Sequence, residues 1–283
     1  MRERRRASRT AGRAVIAAGD FARFDDGRAA RTGVPEVVLA EGKRPAHLVA
    51  ILTELQSRGR GAIVSRLAPN HRTALIAATR AGLRLRIEGS TNVAVLEGPI
   101  VPPPNGGATV AVLTAGTADV PFAEEAIAVL RALGIRTASA HDVGVAGLHR
   151  LEVALDRLHR SAPVLYLVFA GREGALPTVV AGLVDAPVVG IPTPNGYGRG
   201  GRGEAALNAM LQSCAPLAVV NIGGGVPAAL FAAQLVARLE GWLPPTSTPR
   251  GSLFVSNGAS RRRDRPRRAQ RGRRARGEGR ARP

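Results

Sequence analysis

The sequence predicts an α/β protein in which a doubly wound, parallel sheet forms three layers with helices on both of its faces. Apolar strands without polar alternation recur between helices, as in parallel sheets that are buried on both faces. Hydrophobic residues make up 45% of the chain but aromatic residues only 3%, so the core is built mainly of aliphatic side chains. A small N-terminal α/β unit and disordered, arginine-rich tails complete this prediction.

The N-terminal unit is predicted to span residues 15–98. Its strands are residues 36–42 and 61–67, and its helices are residues 45–59 and 71–82. Both helices carry apolar residues at helical spacing and end at a glycine, which readily adopts the left-handed backbone conformation found after helices. The unit has about the size of half an ordinary domain.

A linker over residues 99–108 is predicted to separate this unit from a larger domain over residues 109–249. Four prolines and three glycines between residues 97 and 108 can continue neither a helix nor a strand. Strands and helices then alternate along the larger domain. The predicted strands are 109–116, 163–171, 187–193 and 217–225, and the predicted helices are 121–134, 148–161, 176–186, 203–215 and 227–241.

The positive charge of the chain is concentrated in its tails. Residues 1–14 and 250–283 hold nineteen arginines and three acidic residues, which account for sixteen of the nineteen net positive charges. Both tails lack the apolar content needed to fold. Binding of a nucleic acid is one interpretation of the C-terminal tail. A solvated tail without a partner is favoured, because no aromatic side chain interleaves its arginines from residue 261 onward.

The chain has one cysteine, Cys214, so no disulfide can form within it and nothing indicates an oxidising compartment. No convincing secretory signal is present. The longest apolar stretch, residues 215–239, contains three consecutive glycines and Pro227, and is therefore predicted as strand, loop and helix rather than as a membrane span. We expect a cytoplasmic protein that does not enter membranes.

Three segments follow predicted strands, at the edge where doubly wound sheets bind ligands. In residues 114–126, Asp119 either caps the next helix or bonds a ribose, and capping is the favoured interpretation. In residues 169–177, Gly171 lets the backbone approach a ligand closely. Glu173 in that segment is either an ordinary solvated carboxylate or a functional group, with equal support for the two interpretations.

The third segment, residues 193–204, is a glycine-rich loop around Gly196 and Gly198. Such a loop can wrap a phosphate, and its arginines can pair with an anion. It lacks the Gly-Lys-Ser/Thr sequence of a P-loop, so its specificity as a motif is low.

Two other residues are candidates for chemistry. Cys214 is more often a small buried side chain than a nucleophile on spacing alone. Lys43 is the only lysine beside thirty-nine arginines, which suggests either a task that a guanidinium cannot perform or chance survival. The five histidines have no zinc-ligand spacing with each other or with Cys214, so the sequence predicts no tightly bound cofactor.

In combination, these motifs resemble the LarB family of pyridinium-3,5-biscarboxylic acid mononucleotide synthases, which act in nickel-pincer cofactor biosynthesis. The resemblance covers about residues 15–240. It is carried by the sequences FDDGRAARTGVPEVVLAEGK, TAGTADVPFAEEA, DVGVAGLHRL, AGREGALPTVVAGLV, NGYG, SCA and VVNIG.

The central part is also similar to PurE, the aminoimidazole ribonucleotide carboxylase. The shared features include Gly-Thr-x-Asp, Ser139-Ala140-His141 and a Leu-Pro pair. PurE carries a catalytic histidine directly before that Leu-Pro, where this chain has Ala175, and PurE lacks the N-terminal unit. Both differences favour the LarB resemblance.

The LarB resemblance implies carboxylation of the pyridinium ring of nicotinic acid adenine dinucleotide with CO2 or bicarbonate, and hydrolysis of its phosphoanhydride to release AMP. It implies that the Cys214 thiolate adds to the ring, that Glu173 accepts the ring proton, and that Lys43 or Arg31 orients a carboxylate or CO2. A Mg2+ ion on the diphosphate would suit this chemistry, although no ligand spacing supports it.

The same resemblance implies ribose, phosphate or ring contacts at a further set of positions and a symmetric homo-oligomer with sites near subunit contacts. These positions are Thr117, Asp119, Gly171, Gly196, Gly198 and Asn221. One departure stands out: the family continues Asp-Asn-Gly-Phe-Gly where this chain has residues 223–227, Gly-Gly-Gly-Val-Pro. A PurE-like carboxylase or mutase and a non-catalytic nucleotide-binding protein remain as alternatives.

Overall fold

The computed structural model describes residues 15–100 and 107–241. The predictions for the two arginine-rich tails, and for most of the linker, lie outside these ranges. Within them, no helix combines the length and the apolar character that crossing a bilayer requires.

The first half of the described chain forms a hairpin and a four-stranded sheet. Two of its strands are parallel, and two further strands add to it in antiparallel fashion, in the order β3-β4-β6-β5. The elements are β1 (Ile16–Ala18), β2 (Ala22–Phe24), α1 (Arg28–Thr32), β3 (Val37–Leu39), α2 (Pro45–Ser57), β4 (Ala62–Ser65), α3 (Pro69–Arg80), β5 (Leu85–Ile87) and β6 (Ala94–Leu96). The two antiparallel hairpins were not predicted, because strands of three residues are too short to show a period of two.

The second half forms the predicted doubly wound sheet. Its five strands are all parallel and follow the order β8-β7-β9-β10-β11, which is the flavodoxin-like order. The elements are β7 (Thr109–Thr114), α4 (Val120–Ala132), β8 (Arg136–Ala140), α5 (Leu148–His159), β9 (Pro163–Ala170), α6 (Leu176–Ala181), β10 (Val188–Pro192), α7 (Glu204–Leu211), β11 (Ala218–Val219) and α8 (Gly225–Leu239). The prediction of the fold class is confirmed.

Alternate residues of each central strand face opposite helical layers, as a pleated strand requires. Along β7, Val110 and Val112 pack with α4 and α8, whereas Ala111 and Leu113 pack with α5, α6 and α7. The four-stranded sheet covers the outer side of α4 and α8, since Ile63 belongs to the same buried cluster as those two helices. Helices α2 and α3 close its other face.

Two strands of the five-stranded sheet differ most from the sequence prediction. β8 was missed, because its sequence RTASA consists of small and polar residues on an edge strand that is only partly buried. β11 is much shorter than residues 217–225, because its regular pairing with β10 ends at Val219 and a turn at residues 222–223 leads into α8.

Arg66 connects the two sheets at the ends of their strands. Its backbone N–H donates to Glu125 Oε1 at 2.9 Å, and its guanidinium donates to Glu41 Oε2 at 2.8 Å and to the carbonyl of Gly223 at 2.9 Å. Burial raises the pKa of Glu125, because a carboxylate loses its hydration there. The carboxyl end of β4 is thereby tied to α4 and to the loop after β11.

Candidate functional site

A cavity of about 640 Å3 opens where β7 and β9 end. The strand order of the sheet reverses between these two strands, so the loops that follow them leave in opposite directions and a crevice forms between them. The cavity has the size of an ordinary small-molecule site. Its lining residues are Ala115, Gly116, Ala118, Asp119, Gly144, Val145, Ala146, Arg150, Gly171, Arg172, Glu173, Asn195, Gly196 and Tyr197.

Asp119 holds two walls of this cavity together. The residue is 4% exposed, and its Oδ2 accepts the N–H of Gly116 at 3.0 Å. Its Oδ1 accepts the Thr193 hydroxyl at 2.5 Å and the Asn195 amide at 3.2 Å. The expected cap on α4 is not made, because the carboxylate points back to Gly116 and across to the loop after β10. Three internal donors thus occupy a carboxylate that was also predicted to bind a ribose.

Gly171 is required by the close approach of two loops. A Cβ atom at this position would lie 2.3 Å from the carbonyl oxygen of Asn195. The same carbonyl accepts the N–H of Arg172 at 2.8 Å, so the loop after β9 is bonded to the loop after β10. Gly196 lines the cavity directly behind this contact. The two loops therefore form a wall of the cavity in which position 171 has no room for a side chain.

Three charged side chains besides Asp119 line the cavity. Arg150 donates to Asp142 Oδ2 at 2.6 Å, and Glu173 lies beside Arg172. The guanidinium of Arg172 lies 4.5 Å from the centre of the Tyr197 ring and donates to its hydroxyl at 2.7 Å. Two guanidiniums make the cavity suitable for an anionic ligand. None of its lining residues is a histidine or a cysteine.

A second cavity of about 270 Å3 shares a wall with the first. It is lined by Arg172, Glu173, Tyr197, Gly200 and Ala205. Three of these residues also line the larger cavity, so the stacked Arg172–Tyr197 pair stands between the two spaces.

Cys214 lies at the amino edge of the sheet, where the strands begin, whereas the cavity opens at the carboxyl edge, where they end. It is exposed and belongs to the turn between the end of α7 and the start of β11. α7 runs back from the carboxyl edge, so the turn that follows it is at least one strand length from the cavity, roughly 15 Å. Within one chain, the structure does not bring the thiol and the cavity together.

Lys43 and Arg31 belong to the N-terminal half and do not line the cavity. The Lys43 ammonium donates to the carbonyl of Leu39 at 2.7 Å. The guanidinium of Arg31 donates to both oxygens of Asp25, to one of them at 3.0 Å. The Arg31 hydrogen bond lowers the pKa of Asp25, and the same bond raises that of Arg31. These contacts connect both cations to their own unit.

The remaining predicted residues do not line the cavity. Thr117 is exposed on the short turn between β7 and α4. Gly198 has a φ of 71°, which favours glycine. Asn221 is exposed after β11 and accepts the N–H of Ile222 at 2.8 Å. In the described ranges, no group of three His, Cys, Asp or Glu side chains is arranged to hold a metal ion.

Sequence reasoning did not select Arg150, Arg172, Asn195 or Tyr197. All four lie in sequences that carry the family resemblance or in the glycine-rich loop, so the signal was present. What the sequence could not show is that the loops after β7, β9 and β10 converge at one reversal of strand order.

Comparison with known proteins adds to this geometry. The family model described as AIR carboxylase matches residues 109–242, and the model described as LarB/PurE-like N-terminal domain matches residues 16–85. An uncharacterized protein of Methanocaldococcus jannaschii is 36% identical over 220 residues, which are 77% of this chain and 84% of that protein.

Two N5-carboxyaminoimidazole ribonucleotide mutases are similar to the second half. The one from Methanocaldococcus jannaschii is 26% identical and matches 45% of this chain and 78% of its own length. The one from Saccharolobus solfataricus is 30% identical and matches 45% of this chain and 80% of its own length. The crystal structure of Treponema denticola PurE matches 46% of this chain and 81% of that chain, with 24% identity and a TM-score of 0.38.

Proposed function

The chain belongs to the AIR carboxylase family and carries a LarB/PurE-like N-terminal domain, and from this premise we propose that it carboxylates the pyridinium ring of nicotinic acid adenine dinucleotide. CO2 or bicarbonate supplies the new carboxyl group. Hydrolysis of the phosphoanhydride then releases AMP and leaves pyridinium-3,5-biscarboxylic acid mononucleotide, an intermediate of nickel-pincer cofactor synthesis.

The composition of the cavity carries the proposal. It offers two guanidiniums for anionic groups and one carboxylate, Glu173, that can accept a proton. It offers no imidazole: the position before Leu176-Pro177 is Ala175, the N-cap residue of α6. A carboxylation that depends on a histidine at that position lacks that histidine here, whereas a thiolate-dependent one requires a suitably placed cysteine instead.

The chemistry requires a nucleophile because a pyridinium ring is electron-poor and cannot attack CO2. A thiolate that adds to the ring forms a carbon–sulfur bond and turns the cation into a neutral dihydropyridine. The enamine carbon of this ring attacks CO2 and forms the carbon–carbon bond. Glu173 takes the proton from that carbon, and departure of the thiolate restores the aromatic cation.

Cys214 is the proposed nucleophile. It is the only cysteine, and it is exposed rather than sealed in the core. Because it lies at the edge opposite to the cavity, we propose that it acts on a substrate bound by a second copy of the chain. A homo-oligomer in which the turn before β11 meets the carboxyl edge of a neighbour would complete the site.

The proposed roles of the other residues follow from their contacts. Asp119 positions the loops that carry Gly116 and Asn195, and Arg150 and Arg172 bind phosphate or carboxylate groups. Lys43 and Arg31 would reach a substrate only across a subunit contact. Mg2+ on the diphosphate remains a prediction, which a comparison of AMP release with and without a chelator tests.

Incubation of the protein with nicotinic acid adenine dinucleotide and 13C-bicarbonate tests the proposal. We expect AMP and a dicarboxylated mononucleotide with one added 13C by mass spectrometry. A parallel reaction with aminoimidazole ribonucleotide tests the alternative that the mutase relatives favour. Carboxylation of the imidazole alone would replace the proposal with that alternative, and binding without turnover of either compound would favour a non-catalytic protein.

A further inference from the structure

Tyr197 is an unusually exposed aromatic residue. Its exposed fraction is 76%, against 45% for Phe21 and 48% for Phe231. So little of the Tyr197 ring is buried that core packing does not hold it in place. Tyr197 stands at the boundary of the two cavities, and one face of its ring is covered by the guanidinium of Arg172.

The Arg172 guanidinium on the Tyr197 ring resembles the pyridinium ring of the proposed substrate in shape and charge. A guanidinium is a planar cation with a delocalised charge, and it is attracted to the electron-rich face of a phenol ring. A pyridinium ring is also a planar, delocalised cation, and it presents more surface for stacking. The face that holds the guanidinium therefore suits the substrate ring.

We infer that Tyr197 stacks on the cationic pyridinium ring of the substrate in the place that the Arg172 guanidinium occupies, and thereby selects a charged ring over a neutral one. This inference rests on the proposed function and names the residue that recognises the reacting ring.

The backbone around the pair allows this exchange. Arg172 has a φ of 45°, a costly conformation for a residue with a side chain, and its N–H is bonded to the carbonyl of Asn195. The backbone is thus held, and only the side chain has to leave the ring. Once released, the guanidinium remains at the cavity near Arg150 and can bind a phosphate or carboxylate of the same substrate.

Calorimetric titration of the full chain tests this inference with three probes. These are oxidised nicotinic acid adenine dinucleotide, its reduced form with a neutral ring, and AMP, which has no pyridine ring. The variants are Tyr197→Leu, which removes the ring, and Tyr197→Phe, which keeps the ring but removes the hydroxyl. Phe21→Leu is the matched control, because it makes the same kind of change at an exposed ring that lines neither cavity.

We expect Tyr197→Leu to weaken binding of the oxidised dinucleotide by about 5-fold, because a desolvated cation on an aromatic face contributes up to about 30-fold and displacement of the Arg172 guanidinium offsets part of that gain. Binding of the reduced form and of AMP should change less than about 2-fold, and Tyr197→Phe should retain the preference for the charged ring. Phe21→Leu should bind all three probes as the unchanged protein does.

An equal loss for the oxidised and reduced forms, or no loss in Tyr197→Leu, would overturn the inference while the proposed function stands. The same holds if Phe21→Leu reproduces the loss. Failure of the unchanged protein to bind the oxidised dinucleotide at all would overturn the proposed function and this inference with it.

Discussion

The two edges of the five-stranded sheet differ in almost every physical respect. At the carboxyl edge, the buried Asp119 accepts three hydrogen bonds and holds two loops around a cavity. At the opposite edge, Cys214 lies exposed in a turn. One edge is organised to hold a ligand in a cavity that no cysteine lines, whereas the other carries the exposed thiol, which lines none of the cavities described above.

This contrast suggests that the cavity and the thiol have separate structural requirements. A binding edge needs rigid loops, which the bonds of Asp119 and the close contact at Gly171 supply. A thiol that serves a neighbouring copy needs only exposure and a defined turn. The shared chemistry would then depend on how copies of the chain meet, and the predictions below test that dependence.

The largest effect is expected from removal of the thiol. Cys214→Ala should lower carboxylation by about 10^3-fold or more, because the ring then has no electron donor, while binding of the dinucleotide changes little. Product formation by mass spectrometry and calorimetric binding measure the two quantities. Unchanged turnover in this variant would remove the thiolate mechanism.

A change at the other edge should also inactivate the protein, but through geometry. Gly171→Ala should lower turnover by about 10^2-fold, because its Cβ would collide with the Asn195 carbonyl and displace the cavity wall. Gly182→Ala, at a residue with a negative φ where the nearest atom would lie 3.5 Å from the added Cβ atom, gives a control for the loss of a glycine. A fully active Gly171→Ala protein would contradict the role of this wall.

Mixing the two inactive variants tests whether the edges cooperate between copies. Cys214→Ala contributes intact cavities and Gly171→Ala contributes intact thiols. If the thiol acts on a neighbour, oligomers that contain both variants should regain turnover, after dissociation and reassembly, to well above either variant alone. No recovery in verified mixed oligomers would mean that the thiol does not act on the cavity of a neighbouring copy, and the proposed cooperation between the two edges would be wrong.

More of the fold than of the candidate site could be predicted from the sequence. The continuous apolar strands and their alternation with helices are local signals, and they identified the doubly wound sheet. β8 was missed because an edge strand of small and polar residues lacks that signal. The order of strands, and with it the position of the cavity, comes from contacts between distant segments that no local pattern encodes.

The candidate site shows the same limit. Asp119, Gly171, Glu173 and Gly196 were selected because they follow strands, and all four line the cavity. Cys214 was selected by chemistry and resemblance alone, and neither carries information about which edge a residue occupies. The direction of α7 decides that question, and it becomes visible only once the crossover between β10 and β11 is known.

A smaller effect is expected where the two sheets meet at the carboxyl edge. The raised pKa of Glu125 means that the folded protein keeps a proton that the unfolded chain has already lost. Stability is therefore lost as the pH rises from the unfolded pKa, ~4.3, towards the folded one. Glu125→Gln keeps an oxygen for the N–H of Arg66 and should flatten this dependence.

Denaturant unfolding between about pH 4 and pH 8 measures this difference. The variant should match the unchanged protein at the acidic end and exceed its stability at the basic end. Arg66 and Glu41 remain in both proteins, so their charges do not account for the difference. Parallel curves for the two proteins would mean that Glu125 is not desolvated in the folded state.

The smallest effect is expected from a change of Arg31. This change tests whether the N-terminal unit contributes to the reaction or only to stability. Its hydrogen bonds lower the pKa of Asp25, so the pair stabilises the fold above the unfolded pKa of ~3.9 and this stability is lost as the pH falls through the folded value. Arg31→Ala should cost about 1 kcal/mol at neutral pH and almost nothing in acid, because the pair is partly exposed. If turnover stays within about 2-fold, Arg31 has a structural role. A much larger loss of turnover, with the same small loss of stability, would place Arg31 at the substrate. Like the thiol, it would then be supplied by one copy of the chain to the site of another.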